Sequence, residues 1–132
     1  MSYSKKELAR YRVDRAKEAL EEAHLLADKD HWNTTANRLY YSCFYMASAY
    51  LVLNGKEAFT HNGIKAAFNK ELISTDLLSR SYGLLYNKLF NLRQDADYRD
   101  YKDLTKEEIS PMLLEVQKLL EMIGTLIEEE ES

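Results

Sequence analysis

The sequence predicts an all-α fold, an up-and-down helical bundle of four long helices plus one short helix. Three observations lead there. Only four Gly and one Pro interrupt 132 residues, apolar residues recur at intervals of three and four along nearly the whole chain, and cap residues stand where those patterns begin and end.

Ser4 is a candidate N-cap for a first helix running to about Asp28, with Leu8, Tyr11, Ala16, Ala19, Ala23, Leu26 and Ala27 as its apolar stripe. The alanines at 16, 19, 23 and 27 leave room for another helix to come close. Asp30 to Asn33 break the pattern, and Trp32 can plug the corner. The second helix is expected from about Thr34 to Leu53, stopped by Asn54-Gly55. Its aromatic content would suit a strand, but the apolar run is about twice the ~8 residues of a buried strand. One of its stripes carries Tyr40, Phe44, Ala47 and Leu51, another Asn37, Arg38, Tyr41 and Tyr45. A helix apolar on most sides must be covered on most sides, so this one is central.

Thr60 can cap a short third helix from His61 to about Leu72, turning Ile64, Ala67 and Phe68 inward. A fourth then starts at Ser74 or Thr75 and carries Leu77, Leu78, Tyr82, Leu85, Leu89 and Leu92. Thr105-Lys106-Glu107-Glu108 reads as a capping box for the last helix, whose seam is Leu113, Val116, Leu120, Ile123 and Ile127. Pro111 would bend that helix, unless Ser110 is the cap and Pro111 its first residue. With short connections and no repeat, residues 1–132 are expected to form a single domain.

Composition narrows the function. The net charge is −4, too acidic for a protein that coats polyanions broadly. That total hides an asymmetry: residues 1–20 hold six Lys/Arg against three Asp/Glu, and residues 106–132 hold two against eight. A local cationic pocket for one phosphate remains compatible with both. Leu39 to Leu53 is the longest nearly continuous apolar stretch, short of the ~20 residues that cross a bilayer, so no membrane association is expected. One cysteine and a start without an apolar leader point to a cytoplasmic protein. His24, His31 and His61 lack a metal-binding spacing, which predicts no metal and no cofactor. Cys43, within the aromatic helix, reads as a small core residue.

The chemistry-bearing segment is Leu92 to Tyr101, reading LRQDADYRDY. Four aspartates, at 95, 97, 100 and 103, crowd the end of the fourth helix, where the dipole disfavours anions. Either that helix stops near Asp95, or Arg93, Arg99 and Lys102 compensate. Arg93 and Asp97, four apart, can form an ordinary ion pair; alternatively Arg93 clamps a phosphate while Asp97 holds its guanidinium. Arg38 and Tyr41 share a face of the second helix and either line the same cleft or pack as a half-buried Arg on a carboxylate.

Three motifs occur in order: Asn37-Arg38-Leu39-Tyr40-Tyr41, Thr60-His61-Asn62-Gly63 and Leu92-Arg93-Gln94-Asp95-Ala96-Asp97-Tyr98. Together they resemble the HEPN-domain family, in particular a prokaryotic branch with an R-x-x-A-D-Y-like motif, over nearly the whole chain. The resemblance implies a helical bundle, usually a homodimer, that binds RNA or nucleotides and works beside a minimal nucleotidyltransferase in toxin–antitoxin-like pairs. Many such proteins are metal-independent ribonucleases that use an Arg followed four to six residues later by a His. Arg93 matches the Arg, but Tyr98, Arg99 and Asp100 stand near where the His would fall.

That departure matters chemically. A histidine moves protons near neutral pH, whereas tyrosine, at ~10, would need a shift of about three units. A binding module is therefore the first expectation: phosphate or RNA held by Arg93 and Asp97, aided by Arg38, Tyr41, Asn37 and His61. The alternative is a divergent ribonuclease toxin using Arg93 with Tyr98 or His61. The resemblance also implies a third role, Tyr98 or Tyr101 as acceptor of AMP from the partner.

Overall fold

The computed structural model describes residues 4–56, 58–98 and 103–131, and the side chains of all of these but 95–98. Five α-helices form: α1 (Lys5–Asp28), α2 (Trp32–Leu53), α3 (His61–Phe68), α4 (Arg80–Tyr98) and α5 (Lys106–Glu131). No strand occurs among the described residues.

Ser4 caps α1, its Oγ accepting from the Glu7 N–H at 3.1 Å. At the other end Asp30 N–H bonds Ala27 O and His31 N–H bonds Leu26 O, both at 3.0 Å. These bonds close a Schellman turn, with Asp30 in the left-handed region at φ +60°. The chain turns back so tightly that α2 starts at Trp32, two residues ahead of the expected Thr34. His31 supplies the capping carbonyl, bonded by Thr35 N–H at 2.9 Å.

Along the α1–α2 pair, Ser42 Oγ donates to the main-chain carbonyl of Ala16 at 2.8 Å in a buried contact. A side chain reaches the neighbouring helix's backbone only where both surfaces are small. Ala9, Ala16 and Ala23 repeat every seven residues on α1, as Thr35, Ser42 and Ala49 do on α2, and all six are buried. The antiparallel register set by the Ser42–Ala16 bond pairs Thr35 with Ala23 and Ala49 with Ala9. Tyr11, expected in this stripe, is instead 60% exposed. It lies on the flank of α1, and Ala9 takes the inward place.

As expected, α2 is central and packs against all four other helices. It ends in a second Schellman turn, Lys56 N–H to Leu51 O at 2.8 Å, with Gly55 at φ +70°. Thr60 Oγ1 caps α3 by accepting from Gly63 N–H at 2.8 Å. A Cβ on Gly63 would sit 2.8 Å from that same oxygen, so the cap needs glycine there.

The third and fourth helices depart from expectation at their junction. After Phe68 the helix widens into a π turn, Asn69–Ile73, closed by Ser74 N–H to Asn69 O at 2.8 Å. Thr75 does not start α4, because its hydroxyl turns back to the carbonyl of Glu71 at 2.8 Å. Ser79 does the capping, and α4 begins at Arg80. Leu77 falls in the intervening turn and is exposed, while Leu78 is buried. Gly83 lets α4 approach the π turn; a Cβ there would meet Asn69 Oδ1 at 3.0 Å. The helix runs past Asp95 and Asp97 to Tyr98.

Thr105, not Ser110, caps α5: its Oγ1 accepts from Glu108 N–H and its hydroxyl meets the Glu108 carboxylate, both at 3.2 Å. Pro111 is accommodated inside the helix on its exposed side. Of the expected seam, Val116, Leu120, Ile123 and Ile127 are buried and Leu113 is half-buried, at its edge; Ile109, Met112 and Leu119 are buried as well. Among the described residues no helix is long and apolar enough to cross a membrane.

Candidate functional site

Three helices bring cations and rings together on the side of α2 away from the alanine seam. From α2 come Arg38, Tyr40, Tyr41 and Phe44, from α3 His61 and Lys65, and from α4 Phe90 and Arg93. The spacing explains the grouping: His61 and Lys65 lie one turn apart on α3, as do Phe90 and Arg93 on α4.

Arg93 reaches across from α4, its Nε donating to the Tyr41 hydroxyl at 3.2 Å. Its guanidinium carbon lies 5.5 Å from the centre of the Tyr40 ring and 5.7 Å from that of Tyr41. Arg38 stands over Tyr41 as well, at 5.0 Å. Two guanidinium groups thus share one phenol ring, and Lys65 Nζ sits 4.2 Å from the centre of Phe90. Such cation–π contacts contribute about 0.5–2 kcal/mol each, more as water is excluded.

Asn37 does not reach outward. Its Oδ1 accepts from Arg38 Nε at 3.2 Å and from Nη2 at 2.9 Å, and Arg38 Nη1 meets Glu22 at 3.4 Å. Arg38 is therefore held on a carboxylate and placed beside Tyr41, as the packing reading of this residue expects. Its side chain keeps 27% exposure, enough to offer the guanidinium to a ligand.

His61 joins the cluster through a 2.6 Å bond between its Nδ1 and the Tyr40 hydroxyl. Its ring also stacks on Phe44 with centroids 4.5 Å apart and meets the edge of Tyr41 at 6.1 Å. Tyr40 is fully buried. That burial pushes its phenol well above the usual tyrosine range, against the opposing pull of Arg93. A phenol that stays protonated can donate to Nδ1 of a neutral imidazole, which leaves the imidazole proton on Nε2, or accept from an Nδ1–H. When the ring is an imidazolium, Nδ1–H donates to the phenol oxygen. With the phenol as donor, or with the ring an imidazolium, Nε2 carries an N–H suited to an anion.

Behind this group Tyr86 stacks on Phe68 at 4.8 Å and meets Tyr40 edge-on at 6.1 Å. Its buried hydroxyl has no hydrogen-bond partner among the described residues. Cys43 is fully buried and its thiol is pushed up by desolvation, an inert core residue as expected. No His, Cys, Asp and Glu cluster suited to a metal occurs among the described residues. A cavity of about 510 Å³ between α1 and α5 over Met46 shares no residue with the cationic cluster.

Of the residues singled out in the sequence, Arg93, Arg38, Tyr41, Asn37 and His61 are brought together. The side chains of Asp97 and Tyr98, and Tyr101 altogether, lie outside the described residues. Lys65, Tyr40 and Phe44 were not anticipated as site residues. Lys65 was findable from its spacing to His61, but the Tyr40 bond depends on where α3 docks.

A bundle whose central helix gathers arginine, lysine and histidine around aromatic rings defines a class: small helical proteins with a clustered cationic face. Comparison with known proteins sharpens the class. The HEPN-domain model matches residues 9–129, and the chain belongs to the HEPN-domain family. It is 32% identical over 125 residues to the UPF0332 protein of Thermotoga maritima, covering 95% of both chains. It is also similar to two Methanocaldococcus jannaschii proteins designated candidate toxins. One is 31% identical, covering 76% of this chain and 69% of the relative; the other is 26% identical, covering 89% and 87%.

Proposed function

We propose that the Arg93 cluster binds a phosphate of RNA or of a nucleotide, and that the protein acts as a HEPN-type toxin-like module. In this reading it is a cytoplasmic homodimer, Arg93 of two copies faces one cleft, and the working partner is a nucleotidyltransferase-type protein. The observation that carries the reading is the meeting of Arg38, His61, Lys65 and Arg93 around the rings of α2 and Phe90. An anion beside Arg93 adds charged hydrogen bonds to those that Tyr41 and Glu22 already supply to the two guanidinium groups. Arginine donors on a fixed fork suit phosphate oxygens better than a point charge does. The candidate-toxin designations of the relatives support the toxin-like setting.

Titration calorimetry with inorganic phosphate and a short single-stranded RNA tests this. Arg93→Ala is expected to weaken both by about tenfold or more, as loss of a charged hydrogen bond does. Binding equal to the parent's would overturn it. The dimer is tested separately by sedimentation.

The bond between Tyr40 and His61 favours a second reading, a metal-independent ribonuclease in which His61 donates a proton and Arg93 steadies the phosphate. This needs the imidazolium form, which can give up a proton near neutral pH as the neutral ring cannot. RNA incubated with the protein and EDTA should then be cut. Cleavage that survives in both Arg93→Ala and His61→Ala would sink this reading.

A further inference from the structure

The row of cations and rings does not end at Arg93. Tyr45 follows Tyr41 by one turn of α2, and their ring centres lie 6.1 Å apart. Over Tyr45 stands a further arginine, Arg15 of α1, with its guanidinium carbon 5.3 Å from the ring centre. The contacts run without a gap from Arg93 to Tyr41, from Tyr41 to Tyr45 and from Tyr45 to Arg15. Both rings are half-buried, so the row lies at the surface. The Arg15 side chain keeps 38% exposure, and a guanidinium resting on a ring retains the N–H donors in its own plane. Its ion pair with Glu18, at 3.7 Å, joins two side chains open to solvent and is weak.

Two cations held on rings one helical turn apart select a ligand with more than one phosphate. Neighbouring phosphates of an extended single strand are spaced on that scale, whereas a lone phosphate occupies one position only. The border of the row narrows the class further. Glu18 and Glu22, four apart on α1, flank it, the first beside Arg15 and the second 3.4 Å from Arg38. Cations edged by carboxylates accept one strand and repel the second strand of a duplex. We propose that the ligand is a single-stranded oligonucleotide lying along Tyr41 and Tyr45, with one phosphate on Arg93 and another on Arg15. This rests on the phosphate reading above and deepens it: a strand rather than a mononucleotide, held by its backbone and so without sequence preference.

Calorimetry on the full chain with inorganic phosphate, UMP, the dinucleotide pUpU, hexauridylate and a short RNA duplex separates one phosphate from two. In the parent, pUpU is expected to bind about tenfold tighter than UMP, the gain from one more charged contact. Arg15→Ala should erase that gain and leave phosphate and UMP unchanged. It should also flatten the logarithmic salt dependence of hexauridylate binding by ~0.7, the share of one phosphate contact on a single strand. Arg15→Lys keeps the charge and should keep the salt dependence. Equal affinity for pUpU and UMP in the parent, or an Arg15→Ala variant with the parent's gain, overturns the strand while leaving the phosphate site standing. A duplex bound more tightly than hexauridylate overturns it too. A parent that binds none of the probes overturns the phosphate reading and the strand with it. An Arg15→Ala change that alters sedimentation but not pUpU affinity assigns Arg15 and Tyr45 to a protein interface and also overturns the proposal.

Discussion

The two faces of α2 are built from opposite materials. Toward α1 it presents Thr35, Ser42 and Ala49, side chains so small that Ser42 touches the backbone of the neighbouring helix. Toward α3 and α4 it presents Tyr40, Tyr41 and Phe44, whose rings hold the other helices off and leave half-buried places where Arg38, His61 and Arg93 sit. Close-packed backbone leaves no room for a ligand but supplies rigidity. Rings spaced apart supply room, π faces and a low dielectric in which cations act strongly. One helix can therefore serve as anchor and as site because the two tasks fall on different faces.

The largest effect is expected on the anchoring side. Ala16→Leu forces a branched side chain into a place with no exposed surface, and should cost about 3 kcal/mol. That lowers the melting temperature by roughly 10 °C for a chain of this size. Arg93→Ala should cost less, about 1–2 kcal/mol from its contacts with Tyr40 and Tyr41, while weakening phosphate binding about tenfold or more. A parent-like melt for Ala16→Leu would show that the seam is not close-packed.

Alkaline titration separates the faces in another way. Burial raises the Cys43 thiol above its ordinary 9.0 and the Tyr40 and Tyr86 phenols above their ordinary 10.0. In the unfolded chain these groups lose their protons as the pH passes those ordinary values, while the folded protein retains them. Stability is then complete below about pH 9 and falls as the pH rises, each group contributing up to about 1.4 kcal/mol per pH unit. Denaturant midpoints at about pH 8 and about pH 10.5 measure the slope, and Cys43→Ala should remove its earliest part. The α1 seam holds no group that titrates there, so a flat profile would mean that the ring side is far wetter than its burial implies.

The smallest expected effect concerns two neighbouring phenols. Tyr86→Phe removes a buried hydroxyl that makes no hydrogen bond within 3.5 Å among the described residues but interacts with the Tyr40 phenol, and should change stability by less than about 1 kcal/mol. Tyr40→Phe takes the bond from His61 and should cost about 1 kcal/mol. Chemical denaturation compares them directly; a clear loss in Tyr86→Phe would show that its hydroxyl is bonded.

Much of the fold was legible because its rules are local. Ser4, Thr60 and Thr105 cap where expected, and Asn54-Gly55 stops α2 by the backbone conformation that glycine permits. The α3–α4 junction was not, because Ser74, Thr75 and Ser79 are all plausible caps in a string of letters. Only the bond of Thr75 back to Glu71, and the fit of Gly83 against the π turn, select Ser79. Tyr11 misled for a related reason: periodicity counts apolar residues but not the room opposite them. In the site, Arg93, Arg38 and Tyr41 stood out by residue type and spacing, whereas Lys65 and Tyr40 passed as surface and core.

What the sequence determined alone is what hydrogen-bond spacing and helical periodicity control: five helices, three of their N-caps, and a central one too apolar to face water. It also carried three motifs that mark the HEPN family. Only the tertiary structure decided that His61, 32 positions before Arg93, is brought to the same two tyrosines. Sequence distance says nothing about that meeting. It depends on how closely α1 lets α2 approach, how the π turn swings α4 back, and which rings are left between them for a cation to rest on.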